Sequence, residues 1–104
     1  LTYDLIVIDP PSFARNKKRT FSASKDYHKL IAQSLDILTE RGTIIASTNV
    51  ANMTVQQFKK QLRKGLGDVS ADFVNLQQLP ADFTVNPNDS ASNYLKVYTI
   101  RVNK

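Results

Sequence analysis

The run Leu5-Ile6-Val7-Ile8 stops against Asp9-Pro10-Pro11, and this junction constrains the fold more than any other stretch of the chain. Four aliphatic residues in a row make a strand that is apolar on both faces, the pattern of a parallel sheet covered by helices. Proline has no N–H to give to a ladder, so the strand has to end at the pair. In open α/β sheets ligands sit beyond the carboxyl ends of the strands. Asp9 therefore stands where such a fold does its work.

The remaining elements extend the theme. Residues 12–24 are polar and basic without periodicity and read as a loop. Ser24 is a candidate N-cap, and Asp26 complements the helix dipole in the first turn. Tyr27, Leu30, Ile31, Leu35 and Leu38 then recur at three- and four-residue spacing, which predicts a helix with one apolar stripe. Gly42 is the expected stop of that helix. Residues 43–47 form a second short apolar strand that ends in Thr48-Asn49. A strand–helix–strand unit places its strands parallel with a right-handed crossover.

Thr54-Val55-Gln56-Gln57 fits a capping box ahead of the stripe Val55, Phe58, Leu62 and Leu66, with Gly65 and Gly67 at a frayed helix end. Residues 73–76 suggest a third strand, residues 80–92 a long irregular loop, and residues 94–102 a final strand. Two strands with no helix between them pair antiparallel. The expected order is β-α-β-α-β-β: an α/β fold of parallel strands finished by an antiparallel hairpin.

Composition narrows the chemistry. The chain has 104 residues, no cysteine and one histidine, His28. That excludes disulfides, thiolate metal sites and a cysteine nucleophile within it, and leaves no basis for a histidine metal site. No apolar run reaches the roughly 20 residues that span a bilayer, and no signal peptide is visible. The expectation is a soluble, cytoplasmic protein with no membrane partner. Fourteen Lys and Arg against nine Asp and Glu give a net charge of +5. Such a balance suits an anionic partner, nucleic acid above all, though a solvated basic surface gives the same count.

The motif Asp9-Pro10-Pro11-Ser12-Phe13 has readable physics. The prolines stiffen the turn and remove two donors, leaving nearby carbonyls free to face a ligand. Asp9 offers a carboxylate that accepts from an amino group. Ser12 permits close backbone approach and offers a hydroxyl, and Phe13 offers a flat face on which a base can stack. The alternative is a plain strand ending, with Asp9 bonded to a backbone N–H and Phe13 in the core.

Asp-Pro-Pro-Ser-Phe after an apolar strand resembles motif IV of class I S-adenosylmethionine-dependent methyltransferases. With Ala14-Arg15-Asn16-Lys17-Lys18 behind it and Lys25-Asp26-Tyr27 opening the next helix, it resembles a narrower group. These are the bacterial large-subunit ribosomal RNA methyltransferases, in which a PUA-like domain precedes a Rossmann-like catalytic domain. Residues 42–49 match that group's fifth strand and motif VI. Asn86-Pro87-Asn88 and Asn93-Tyr94-Leu95-Lys96 match its approach to the last strand.

The resemblance implies that residues 1–104 are the C-terminal half of a methyltransferase domain, truncated of its cofactor-binding N-terminal half. It implies that Asp9, Pro10, Pro11 and Phe13 line the junction of methyl donor and target base, with Asp9 also on the donor side. Asn49 would face the same cleft or serve as a turn residue. Arg15, Lys17, Lys18 and Arg19 would contact RNA phosphates beside Ser12, or form a solvated loop. Lys25 and Tyr27 match family positions, with Tyr27 expected to pack its helix on the sheet.

Two departures from the group matter. Donor-binding glycine loops follow a strand, and the three glycines of this chain do not, so S-adenosylmethionine is expected to serve the full-length protein and to bind this segment weakly. Methylation at pyrimidine carbon 5 needs a thiolate, so the absence of cysteine favours a nitrogen target, on a purine or on cytosine, unless the missing half supplies one. The competing functions are an RNA-binding module without activity and a small-molecule methyltransferase. Loss of the neighbouring half would also expose a sheet edge, with self-association as the expected result.

Overall fold

The computed structural model of the chain describes residues 1–10, 13–15, 20–49, 53–80 and 94–104. In chain order the elements are β1 (Tyr3–Ile8), β2 (Phe13–Arg15), β3 (Thr20–Ser22), α1 (Ala23–Ile37), β4 (Leu38–Thr48), α2 (Val55–Leu66), β5 (Ser70–Pro80) and β6 (Tyr94–Asn103). Four strands form one sheet in the order β1-β4-β6-β5, and β2 pairs with β3 as a separate antiparallel ribbon. β1 and β4 are parallel, and β6 is antiparallel to both β4 and β5. The expected parallel pair and antiparallel finish are both present, with β6 inserted between β4 and β5.

Strand alternation sorts the sheet into two unlike faces. Ile6 and Ile8 lie beside Ile44 and Ala46, which lie beside Ile100 and Tyr98. This face carries the core, where Tyr27 and Ile31 of α1 meet Phe58, Leu62 and Leu66 of α2. Three aromatic contacts cross it: Tyr27 to Phe58 edge-on at 5.0 Å, Phe58 to Tyr98 at 5.8 Å and Tyr98 to Phe73 edge-on at 5.3 Å. On the opposite face Leu5 and Val7 remain 54% and 63% exposed. Among the described residues both helices pack on the first face, and none covers the second.

Four local expectations need correction. Residues 13–15 and 20–22, read as loop, form the β2–β3 ribbon, with Phe13 opposite Ser22 and Arg15 opposite Thr20. The N-cap of α1 is Ser22, not Ser24, and the Asp26 carboxylate accepts from the Ser22 N–H at 3.0 Å. That bond holds the Asp26 pKa below its ordinary value.

Gly42 does not end α1, because the helix stops at Ile37 and Gly42 lies inside β4. The Lys104 ammonium satisfies the carbonyls of Leu35 and Leu38 at 2.6 and 2.7 Å, the role a cation plays at a helix C-terminus. Gly42 serves a bulge instead. Tyr3 pairs with Leu38 and Leu5 with Thr43, so 39–42 are looped out, and a Cβ at Gly42 would meet the Leu38 side chain at 2.4 Å.

The fourth correction concerns Gly65, which is within α2 rather than at a frayed end. A Cβ there would lie 2.5 Å from both the His28 carbonyl oxygen and the Ile31 Cβ. The glycine lets α1 and α2 approach closely. Gly67 does end the helix, at φ 60°, and its N–H reaches the Arg63 carbonyl at 3.1 Å. The capping box is also as expected, with reciprocal bonds of 3.0 and 2.9 Å between Thr54 and Gln57.

Gly65→Ala should therefore destabilise the fold by about 1–3 kcal/mol through overpacking, although alanine favours a free helix by up to about 1 kcal/mol. Urea denaturation measures it. An unchanged or raised midpoint would mean that the two helices separate without cost.

Candidate active site at the carboxyl edge of the sheet

The carboxyl ends of β1 and β4 lie side by side, since Ile8 pairs with Ala46. The next residues out are Asp9 and Ser47, and their side chains meet: Ser47 Oγ donates to Asp9 Oδ1 at 2.8 Å. The same Oγ is 3.2 Å from the Ile8 carbonyl. Asp9 is exposed and Pro10 half-buried, whereas Ser47 is buried. The carboxylate thus points from a fixed base toward solvent.

Beneath this pair sits Tyr27. It is fully buried, and its hydroxyl donates to the Ser47 carbonyl at 2.6 Å, with the Ile8 carbonyl at 3.3 Å. Burial raises the Tyr27 pKa far above its ordinary value, and the charge of Asp9 acts in the same direction. The hydroxyl stays protonated and remains a donor. A residue expected only to pack α1 on the sheet does so, and also joins the ends of two parallel strands.

Of the residues expected at the site, the structure brings Asp9, Pro10 and Asn49 to the same edge, with Asn49 exposed directly after β4. The backbones of Phe13 and Arg15 fall in β2. Pro11, Ser12, Lys17, Lys18 and Arg19 lie outside the described residues.

Two residues at this edge were not singled out from the sequence. One is Ser47, whose contact with Asp9 depends on the β1–β4 register. The other is Lys96, 2% exposed and paired with Thr48 across the ladder. Burial lowers its pKa. The available signal was its phase: Lys96 alternates in step with Tyr98, Ile100 and Val102, all on the buried face.

The residues present do not hold an adenosyl donor by a glycine loop. Gly42 lies in β4, Gly65 in α2 and Gly67 at its C-cap, none of them following the end of a parallel strand. What the edge can do is accept hydrogen bonds from a planar base through Asp9 and orient its amino group.

No family model matches the chain. It is 39% identical, over 97% of its length, to YwbD of Bacillus subtilis, which carries the name ribosomal RNA large subunit methyltransferase; the match spans 26% of that protein. The ribosomal RNA large subunit methyltransferase K/L of Aliivibrio fischeri is 35% identical over 81% of the chain and is covered to 12%. A solved structure, the methyltransferase SMU.776 in complex with SAH, superposes with a TM-score of 0.85 at 68% identity. That match covers 98% of this chain and 27% of the solved one. The chain thus spans about a quarter or less of each of these three proteins.

Proposed function

Because this chain is homologous to a segment of the large-subunit ribosomal RNA methyltransferases, we propose that the protein carrying it transfers a methyl group from S-adenosylmethionine to a base of large-subunit rRNA. The observation that best supports this is the Asp9 carboxylate, fixed by Ser47 at the carboxyl edge between two parallel strands. Its place suits a base whose reacting atom has to meet the donor, and positioning supplies much of the rate in such transfers.

The acceptor on this reading is a nitrogen. Carbon-5 methylation of a pyrimidine needs a thiolate to add at carbon 6, and this chain has no cysteine. Asp9 would accept one N–H of an amino group, and a neighbouring carbonyl the other, turning the lone pair toward the methyl carbon. The nitrogen–carbon bond forms as the carbon–sulfur bond breaks, and the amino proton leaves to solvent. Phe13 would stack on the base, Asn49 would face it, and Ser12, Arg15, Lys17, Lys18 and Arg19 would contact RNA. The glycine loop and ribose-binding residues would come from the remainder of the longer protein, whose site of action would be the cytoplasm.

The open sheet face fits the same reading, since Leu5 and Val7 would be covered by that remainder. An isolated 1–104 segment would then self-associate through it.

The test is methyl transfer by the full-length protein. Purified large-subunit rRNA from a strain lacking the gene is incubated with methyl-tritiated S-adenosylmethionine, and the RNA is digested to nucleosides. We expect label in a nitrogen-methylated nucleoside. RNA that stays unlabelled would overturn the proposal, and label on carbon 5 would overturn the choice of acceptor.

A further inference from the structure

We propose that Ser47 is a positioning residue for methyl transfer, its hydroxyl fixing the Asp9 carboxylate through Oδ1 so that Oδ2 is left for the acceptor, with Tyr27 clamping Ser47 in place. The proposal rests on the functional reading above and deepens it.

The geometry carries it in three steps. Asp9 is exposed, and an exposed aspartate samples several rotamers. One bond from a buried neighbour restricts it, and a hydroxyl donating to a carboxylate makes a short, strong bond. Ser47 Oγ is that donor, at 2.8 Å. Ser47 has one proton to give, and its other acceptor, the Ile8 carbonyl, is farther away at 3.2 Å. A hydroxyl that needed only to satisfy itself had a backbone partner available, yet its shorter contact is to the side chain of the proposed site.

Ser47 is held in turn. The Tyr27 hydroxyl reaches its carbonyl at 2.6 Å from a fully buried ring, which is braced edge-on against Phe58. Tyr27 is also 3.3 Å from the Ile8 carbonyl, the last residue before Asp9. One helix side chain therefore spans the ends of both strands. The line of support runs from Tyr27 on α1 to Ser47 on β4 and on to Asp9, the residue directly after β1.

Full-length protein carrying Ser47→Ala, Ser47→Thr or Tyr27→Phe is assayed for rRNA methylation over a range of S-adenosylmethionine concentrations up to saturation. Ser47→Ala should lower kcat roughly ten- to a hundred-fold, because misplacement of a reacting group by an ångström costs about that much. The KM for S-adenosylmethionine should stay unchanged. Ser47→Thr keeps the hydroxyl and should restore most of kcat. Tyr27→Phe keeps the ring and should lower kcat in the same direction at unchanged KM. Parental kcat in Ser47→Ala, with activity lost in Asp9→Ala, would overturn this inference while leaving the functional reading intact. If neither substitution changed kcat, the reading of the site would fall too. A Ser47→Ala loss that a stably folded Ser47→Thr did not repair would also overturn it, since the hydroxyl would then not be the cause.

Discussion

Phe58→Ala should cost the fold about 3–5 kcal/mol, the usual range for removing a buried aromatic ring. Phe58 is fully buried on α2, and it is the ring that touches both Tyr27 and Tyr98. Its removal deletes one edge-on and one tilted ring contact, each worth about 0.5–1.5 kcal/mol beyond area burial. It also opens a cavity between α2, α1 and the sheet that neighbouring side chains fill only in part. Domains have about 5–15 kcal/mol of stability in total, so much of the margin is at stake. Urea unfolding of the full-length protein measures the loss, with Val74→Ala as the control, because Val74 is 55% exposed at the bulge of β5. A Phe58→Ala midpoint as high as that of Val74→Ala would mean that the core lies elsewhere.

Asp9→Ala should leave folding nearly untouched and lower methyl transfer by the full-length protein roughly a hundred- to a thousand-fold, the scale for losing one preorganised polar group at a reacting centre. The structural cost is small because Asp9 is exposed, and the Ser47 hydroxyl it abandons can turn to the Ile8 carbonyl at 3.2 Å. The catalytic cost is large because no other carboxylate among the described residues touches Ser47. Asp9→Asn is the informative companion. Its amide oxygen can still accept from Ser47 or from an acceptor N–H, but the charge is gone. An intermediate rate for Asp9→Asn assigns the effect to both geometry and charge. Parental turnover in Asp9→Ala would remove Asp9 from the reaction.

Local signals in the sequence were read correctly where both partners were local. The capping box at Thr54 and Gln57 lies within four residues and is present as expected. The aliphatic run ending at Ile8 became β1, and the α1 stripe placed Tyr27 and Ile31 in the core.

Failures occurred where the deciding partner was distant. The end of α1 is satisfied by Lys104, far along the chain, so the nearby Gly42 was a misleading stop. Gly65 is explained by a helix it had to approach, which no pattern within α2 reveals. The strands of the β2–β3 ribbon, three residues each, are too short to show a period. The site divides in the same way. Asp9 and Asn49 could be placed because strand ends are legible, whereas Ser47 required the register that puts Ile8 against Ala46.

The position of β6 has a consequence for how the sheet assembles. Among the described residues β5 touches the rest of the sheet only through β6, and β4 has no ladder on that side without it. Residues 43–48 pair with residues 96–101, so the central pairing closes a long loop of chain. Closing such a loop costs entropy before any contact repays it, which slows folding. Until β6 is synthesised and inserted, β4 keeps an open edge on that side. β5 waits as an unpaired strand carrying Phe73 and Leu76. A nascent chain halted before residue 94 would expose two open edges, a natural target for a chaperone or a protease.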